Sequence, residues 1–433
     1  MLVGLVTRKN HAIWGGDLKA IQNVKHGLEV MGHKVMIGDD VTKLMCCDFI
    51  FLTNTCISQS QNYSTLKSNN KNYGVINFHE DFIKYFRHCD GFVNYTNFLA
   101  EPSKFLGVSW QFSKVNNLKI AAKNIIYNRF FNFRNFKKLL NYSAGTDSFQ
   151  PTLTHLEENP EVVLYYTNRH LPNTPLINID TIRDAKINIA NSGAEKNTIL
   201  RDVPTASVET VFWTAGFAEE WDKTEDTTFL EKYNLISKNY ILQVGRLEVR
   251  KNQIATLLAL KDVDEDLVFI CSAGYQPWYE SLFINLIKKF RKNRTLVITQ
   301  TLKNGRWGNF EIINTDGGEK LALGLLKSAY QHSKVHCHPA FYELPGYTYL
   351  EALYFNIPTI ASEWTTIGDY LDFGGDKYCN GLVEYVLPHD IKGIRDAYFK
   401  IKDVRKKNAN SIFERTSNDV GFEISELMNS SLN

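Results

Sequence analysis

Tyr240-Ile-Leu-Gln-Val-Gly-Arg246-Leu-Glu-Val-Arg-Lys251-Asn252 lies just past the middle of the 433-residue chain. Its first five residues, closed by a glycine, have the length and composition of a buried strand, and a charged turn follows. Short apolar runs alternate with helix-like runs on both sides of it, which is the pattern of α/β units on parallel sheets. Upstream, strands are expected at Met1–Thr7, Lys34–Ile37, Phe49–Thr53, Tyr73–Phe78, Ala185–Ala190 and Val208–Trp213. Downstream they are expected at Leu267–Cys271, Thr295–Thr299, Lys334–His338 and Thr359–Ala361. Asp17 can cap a helix running to Met31, with Leu18, Ile21, Val24, Leu28 and Met31 along one side and Gly32 ending it.

A chain of this length exceeds one comfortable core, so two doubly wound α/β halves of about 200 residues each are expected. The first half takes 1–215 and the second 239–389. The polar stretch 216–238, containing Glu219-Glu220-Trp-Asp-Lys-Thr-Glu-Asp226, reads as the linker. Charged helical segments over 390–433 are expected to cross back onto the first half.

An apolar fraction of 44% and a charged fraction of 22% are those of an ordinary soluble globular protein. A net charge of +2 gives no reason to expect a nucleic-acid partner. Seven cysteines, an odd number with no Cys-x-x-Cys, read as the reduced thiols of a cytoplasmic protein. The apolar start, followed at once by Arg8-Lys9, reads as a strand rather than an export signal. No run approaches the ~18 apolar residues needed to span a bilayer. From Pro102 to Thr146 there are eight Lys/Arg and no Asp or Glu, interleaved with Trp110, Phe112, Tyr127 and Phe130 among other aromatics. That stretch suits peripheral contact with the anionic inner face of a membrane, or a phosphorylated lipid acceptor. It also suits an ordinary helical insertion with buried rings and solvated lysines, which is the plainer reading, with a nucleic-acid surface the most remote.

Arg246 and Lys251 flank the turn that follows the Tyr240–Val244 run, so both fall at the carboxyl end of a strand, where open α/β sheets bind ligands. From there they can converge on one diphosphate, or remain solvated loop charges. A second strand-to-helix turn carries Glu343 and, eight positions on, Glu351, with a helix starting at Gly346 between them. The free N–H groups and dipole of such a helix end suit a phosphate. Acceptor carboxylates beside an anion seat suit the hydroxyls of a nucleotide sugar. In the first half, Trp14-Gly15-Gly16-Asp17 lets backbone approach a ligand closely at the start of another helix. His79 lies just past a strand end, either facing the cleft or packed as a capping residue. Asp39-Asp40 and Asp262-Val-Asp-Glu-Asp266 read as solvated surface rather than metal sites, and no metal role is assigned to His336 and His338. No Gly-x-Ser-x-Gly, Gly-x4-Gly-Lys-[Ser/Thr] or His-Glu-x-x-His pattern occurs.

On Gly245-Arg246-x4-Lys251, on Glu343-x7-Glu351 with its Leu-Pro-Gly insert and Asn356-Ile-Pro-Thr-Ile-Ala-Ser362 beyond, and on Gly15-Gly16, the chain resembles the retaining GT-B glycosyltransferases of family 4, the group 1 type. The resemblance implies a GT-B fold, two Rossmann-like domains facing across a cleft. It implies a hexosyltransferase using a nucleoside-diphosphate sugar, with no cofactor and no metal. Arg246 and Lys251 would hold the diphosphate, Glu343 the transferred sugar and Glu351 the ribose. Gly346 and Tyr347 would offer amides near sugar or phosphate, His79 would approach the sugar, and Gly15 and Gly16 would line the acceptor side. Pro345 stands where many members carry an aromatic residue, and Thr365-Thr-Ile-Gly-Asp-Tyr370 replaces the commoner glycine-rich turn, so no role is carried over there. The acceptor would be a glycan or a lipid-linked glycan in surface polysaccharide or glycoconjugate synthesis. The rival expectations are a nucleotide-sugar epimerase or another enzyme of this architecture, and a two-lobed solute-binding module. A phosphorylase would need a pyridoxal-phosphate lysine that the sequence does not single out.

Overall fold

The computed structural model describes residues 1–7, 16–53, 59–79, 178–272, 277–315, 323–388 and 390–432. Two sheets carry the fold. The first has six parallel strands, β1 (Leu2–Val6), β2 (Lys34–Gly38), β3 (Phe49–Thr53), β4 (Tyr73–Ile76), β5 (Ile187–Ala190) and β6 (Val208–Thr210), in the order β2-β1-β3-β4-β5-β6. Its central strands are apolar on both faces; all five residues of β3 are buried. Such continuous apolar runs are what a sheet covered by helices on both sides requires.

The second sheet holds β7 (Tyr240–Val244), β8 (Asp266–Cys271), β9 (Thr295–Thr299), β10 (Gly305–Trp307), β11 (Phe310–Asn314), β12 (Val335–His338), β13 (Thr359–Ser362) and β14 (Val383–Val386). Its order is β10-β11-β9-β8-β7-β12-β13-β14, parallel except for the β10–β11 hairpin. Strand order reverses between β7 and β12, which pair directly through Val335 with Ile241 and His336 with Leu242. Loops leaving the carboxyl ends of two such neighbours open a crevice between them. Here those are the loop carrying Arg246 and Lys251 and the loop carrying Glu343.

The helix Gly16–Val30 buries Leu18, Ile21, Val24 and Leu28 at helical spacing, while Met31, expected on the same side, lies past its end and is exposed. It begins one residue before the expected Asp17, which lies in the first turn. It closes with Gly32 at φ +84°, where the Gly32 amide reaches the Glu29 carbonyl and the His33 amide the Leu28 carbonyl. The final helix, Ser417–Leu432, packs along it so closely that a Cβ on Gly421 would lie 2.1 Å from the Gly27 carbonyl carbon. Of the described segments over 390–433, this helix packs along the first half, and Arg415 just before it donates from Nε to the Phe212 carbonyl at 2.6 Å. The amphipathic Ile391–Ile401 stays on the second half, against β13, β14 and the helix Gln253–Ala259.

Three strands escape the sequence reading: β10, β11 and β14. The hairpin is short, turns at Gly308 with φ +59° and leaves Arg306 and Trp307 exposed, so no apolar run announces it. Residues 216–238 are also more than a polar connection. Phe229 and Tyr233 of the helix Thr228–Tyr233 are buried in the core, and the turn Gly216–Glu220 packs on the helix Tyr347–Tyr354. The basic aromatic stretch 102–146 lies outside the described residues.

Candidate functional site

The β7 turn is built by two carboxamides. Gln243 donates from Nε2 to the Lys251 carbonyl at 2.7 Å, and Gln253 donates to the Arg246 carbonyl at 2.7 Å. Asn252, at φ +59°, donates from Nδ2 to the carbonyls of Pro339 (2.8 Å) and Pro388 (2.7 Å). Asparagine tolerates that left-handed backbone better than most residues. Its two bonds tie the β7 turn to the loops after β12 and β14.

Across the crevice Lys251 Nζ is in direct contact with Glu343 Oε1. Arg250 Nη1 stands 4.0 Å from Glu343 Oε2, and His338 Nε2 lies 3.3 Å from Oε1. Only 6% of Glu343 is exposed. Burial alone would raise its carboxyl, but Lys251 and Arg250 outweigh that and hold it well below the usual carboxylate range. Burial pulls Lys251 below its ordinary value while Glu343 opposes the drop. The pair is ionised, because a carboxylate held that low against a touching ammonium leaves the proton on nitrogen. Burial likewise lowers His338, with Glu343 opposing, so its ring is neutral; since Glu343 can only accept, Nε2 carries the hydrogen. His336, buried behind it and stacked at 5.8 Å, is pushed well below its usual value by burial and by His338.

The loop after β12 passes a cis Leu344–Pro345 bond and enters the helix Tyr347–Tyr354 at Gly346, φ +83°. A Cβ at Gly346 would fall 2.6 Å from the Tyr349 ring, so the close turn requires glycine there. First-turn amides of a helix have no acceptor one turn back. Tyr347 points its ring away, into a slot between Gly16 and Gly216, where added Cβ atoms would stand 3.0 and 2.8 Å from it. Glu351 is buried one turn further on, accepting a 2.8 Å bond from the Tyr330 hydroxyl. Burial lifts its carboxyl to about 7, against the opposing Tyr330 hydroxyl and Phe217 amide.

Arg246, the most exposed of these cations, has Nη2 at 3.3 Å from Glu248 Oε1. His79 is fully buried, its Nε2 at 2.8 Å from Asp202 and its backbone amide on Glu195. Its carbonyl accepts a 3.2 Å bond from the Tyr342 hydroxyl, which brings it beside the Glu343 loop; Nδ1 has no hydrogen-bond partner among the described residues. A cavity of about 300 Å³ opens between the helix Gly193–Asp202 of the first half and Tyr342 and Trp364–Thr366 of the second. Tyr342 in its wall directly precedes Glu343, whose carbonyl accepts from the amide of the lining Thr366 at 3.3 Å. At its rim Asp369 accepts a 2.6 Å bond from the Ala194 amide, joining the two halves.

The structure therefore gathers Arg246, Lys251, Glu343, Gly346, Tyr347 and Glu351 around one crevice, with Gly16 and His79 approaching from the first half. Gly15 lies outside the described residues. Glu248, Arg250, Asn252, Tyr330, His338 and Asp202 join the site without being expected there from sequence. Asn252 alone carried a local signal, as an asparagine at a strand-to-helix turn. Among the described residues there is no group of three or more His, Cys, Asp or Glu side chains that could hold a metal ion. No helix among them is long and apolar enough to cross a membrane.

No family model matches the chain, and no curated protein matches it by sequence. Solved structures do. The chain superposes on Anabaena HepE in complex with UDP with a TM-score of 0.55 at 11% identity, covering 99% of each chain. The UDP-glucose complex of HepE gives 0.53 at 11% identity, covering 99% of this chain and 100% of that one. Sucrose-phosphate synthase of Thermosynechococcus elongatus gives 0.52 at 13% identity, covering 99% and 98%. Identities this low establish the fold, which is the two-domain GT-B arrangement.

Proposed function

We propose that the protein is a glycosyltransferase that moves a hexose-type sugar from a nucleoside-diphosphate sugar to a glycan or lipid-linked acceptor with retention of configuration. The observation that carries this reading is the meeting of Lys251 and Glu343 at the point where strand order reverses, beside a glycine-opened helix that carries Glu351. Cations, helix amides and acceptor carboxylates are the three kinds of group that a nucleotide sugar needs. That HepE is seen with UDP and UDP-glucose is consistent with this reading.

Arg246 and Lys251 hold the diphosphate and stabilise the charge that grows on it as the glycosidic bond breaks. Glu343, freed from Lys251 as the phosphate takes its place, accepts hydroxyls of the transferred sugar. Glu351 accepts from the ribose. The cations and amides supply the countercharge, so the reading asks for no divalent ion. The acceptor enters the cavity between the halves, with His79 behind its wall. The acceptor hydroxyl attacks from the face the leaving group departs, and the departing phosphate takes its proton. Such a protein works at the cytoplasmic face, in surface polysaccharide or glycoconjugate synthesis.

The test is mass spectrometry of the wild type and Glu343→Ala against UDP-, GDP-, ADP- and dTDP-sugars, with and without acceptor glycans. Release of a nucleoside diphosphate by the wild type and its loss in the variant are expected. An epimerised donor with no release would replace transfer by epimerisation. No turnover and no binding of any donor would sink the reading.

A further inference from the structure

The charges of the β7 turn form a chain. Arg246 Nη2 stands 3.3 Å from Glu248 Oε1, and Arg250 Nε donates to the same oxygen at 3.2 Å. Arg250 in turn approaches Glu343, which holds Lys251. Only 11% of the Glu248 side chain is exposed. A carboxylate that buried persists only with such partners. Three cations thus face two anions, and Glu248 supplies one of the two negative charges already in place. A donor diphosphate brings further negative charge to the same turn, where it meets Arg246 already paired.

We propose that Glu248 is the resident counter-anion of the diphosphate seat: it holds Arg246 in the donor-free protein, and donor binding exchanges its oxygen for a phosphate oxygen on that guanidinium. This rests on the diphosphate reading of Arg246 and Lys251 and deepens it. Arg250 anchors Glu248 through Nε, so the carboxylate stays behind when Arg246 turns to the donor. The exchange has two consequences. Glu248 weakens donor affinity by competing for Arg246, and it prevents a bare cation from waiting in the empty turn. The planar, fork-shaped guanidinium suits this handover, because its N–H groups can pass from one acceptor to another without losing all partners at once.

Calorimetric titration of UDP, GDP and ADP into the wild type, Glu248→Gln, Arg246→Ala and the double variant tests this. Glu248→Gln is expected to bind its preferred nucleotide roughly tenfold more tightly, the scale of one charge-assisted hydrogen bond. In the Arg246→Ala background that gain is expected to shrink below about twofold, because the competition acts through Arg246. Thermal unfolding without nucleotide guards against misfolding: Glu248→Gln should melt below the wild type and rise further when nucleotide is added. Equal or weaker binding by Glu248→Gln overturns the inference alone. A gain that survives undiminished without Arg246 overturns the exchange, since it would be simple charge repulsion. Binding of no nucleotide by any of the four proteins overturns both this inference and the donor-site reading.

Discussion

Replacing Glu351 by glutamine exchanges a buried ionisable group for a neutral one of nearly the same shape. Its carboxyl is lifted by burial from 4.5 to about 7, so folding holds a proton that the unfolded chain would already have released. At about 1.4 kcal/mol per pH unit this is worth about 3 kcal/mol. The sign follows directly. The contribution is fully present below pH 4.5 and is lost as pH rises through about 7, so the wild type should lose about 3 kcal/mol across that window while Glu351→Gln does not. Glutamine keeps an acceptor for the Tyr330 hydroxyl, so the variant should fold. Thermal unfolding of both proteins in matched buffers spanning that window reads the difference. Nucleotide affinity should move the opposite way, rising in the wild type as Glu351 ionises near pH 7 and staying low and flat in the variant. Parallel stability curves would refute the assignment of that burial cost to Glu351. A pH-dependent affinity that persists in Glu351→Gln would refute its part in holding the donor.

Three further outcomes follow from contacts at the crevice. Lys251→Met leaves Glu343 buried without its ammonium and should cost about 3–5 kcal/mol in denaturant unfolding, most of it regained in Lys251→Met/Glu343→Gln. Gly346→Ala sets a Cβ against the Tyr349 ring at φ +83° and should cost at least about 1–2 kcal/mol, with nucleotide affinity falling as the helix entrance shifts. Asp369→Ala removes the acceptor of the Ala194 amide; hydrogen exchange at the start of the helix Gly193–Asp202 should speed up roughly tenfold, and unchanged exchange would deny the contact a role in holding the halves together.

The sequence made the strands that are buried on both faces readable, because β3, β7, β8 and β9 are continuous apolar runs. The edge strands of the second sheet were not readable, although those of the first, β2 and β6, were. β10 and β14 are three and four residues long, the first largely exposed and the second buried only at its two ends, so their identity depends on what they pair with rather than on any pattern of their own. Arg246, Lys251, Glu343 and Glu351 stood out by residue type and position after apparent strands. That Lys251 touches Glu343 was not legible, since it depends on β12 lying beside β7, a fact of topology that local sequence does not carry. The same holds for Tyr330 on Glu351, which meet from successive helices, and for Asp202 on His79, which meet from distant elements. His338 alternates with His336 along one strand; that spacing placed both rings on one face without saying that a carboxylate would come to one of them. Residues 216–238 looked like a linker from their charge, yet Phe229 and Tyr233 among them are core.

The most direct test of the donor site is a crystal structure of the protein soaked with a nucleoside diphosphate. Diphosphate oxygens are expected within about 3 Å of Arg246 and Lys251, the ribose on Glu351, and Lys251 released from Glu343. A nucleotide bound elsewhere, with the Lys251–Glu343 pair intact, would contradict that assignment.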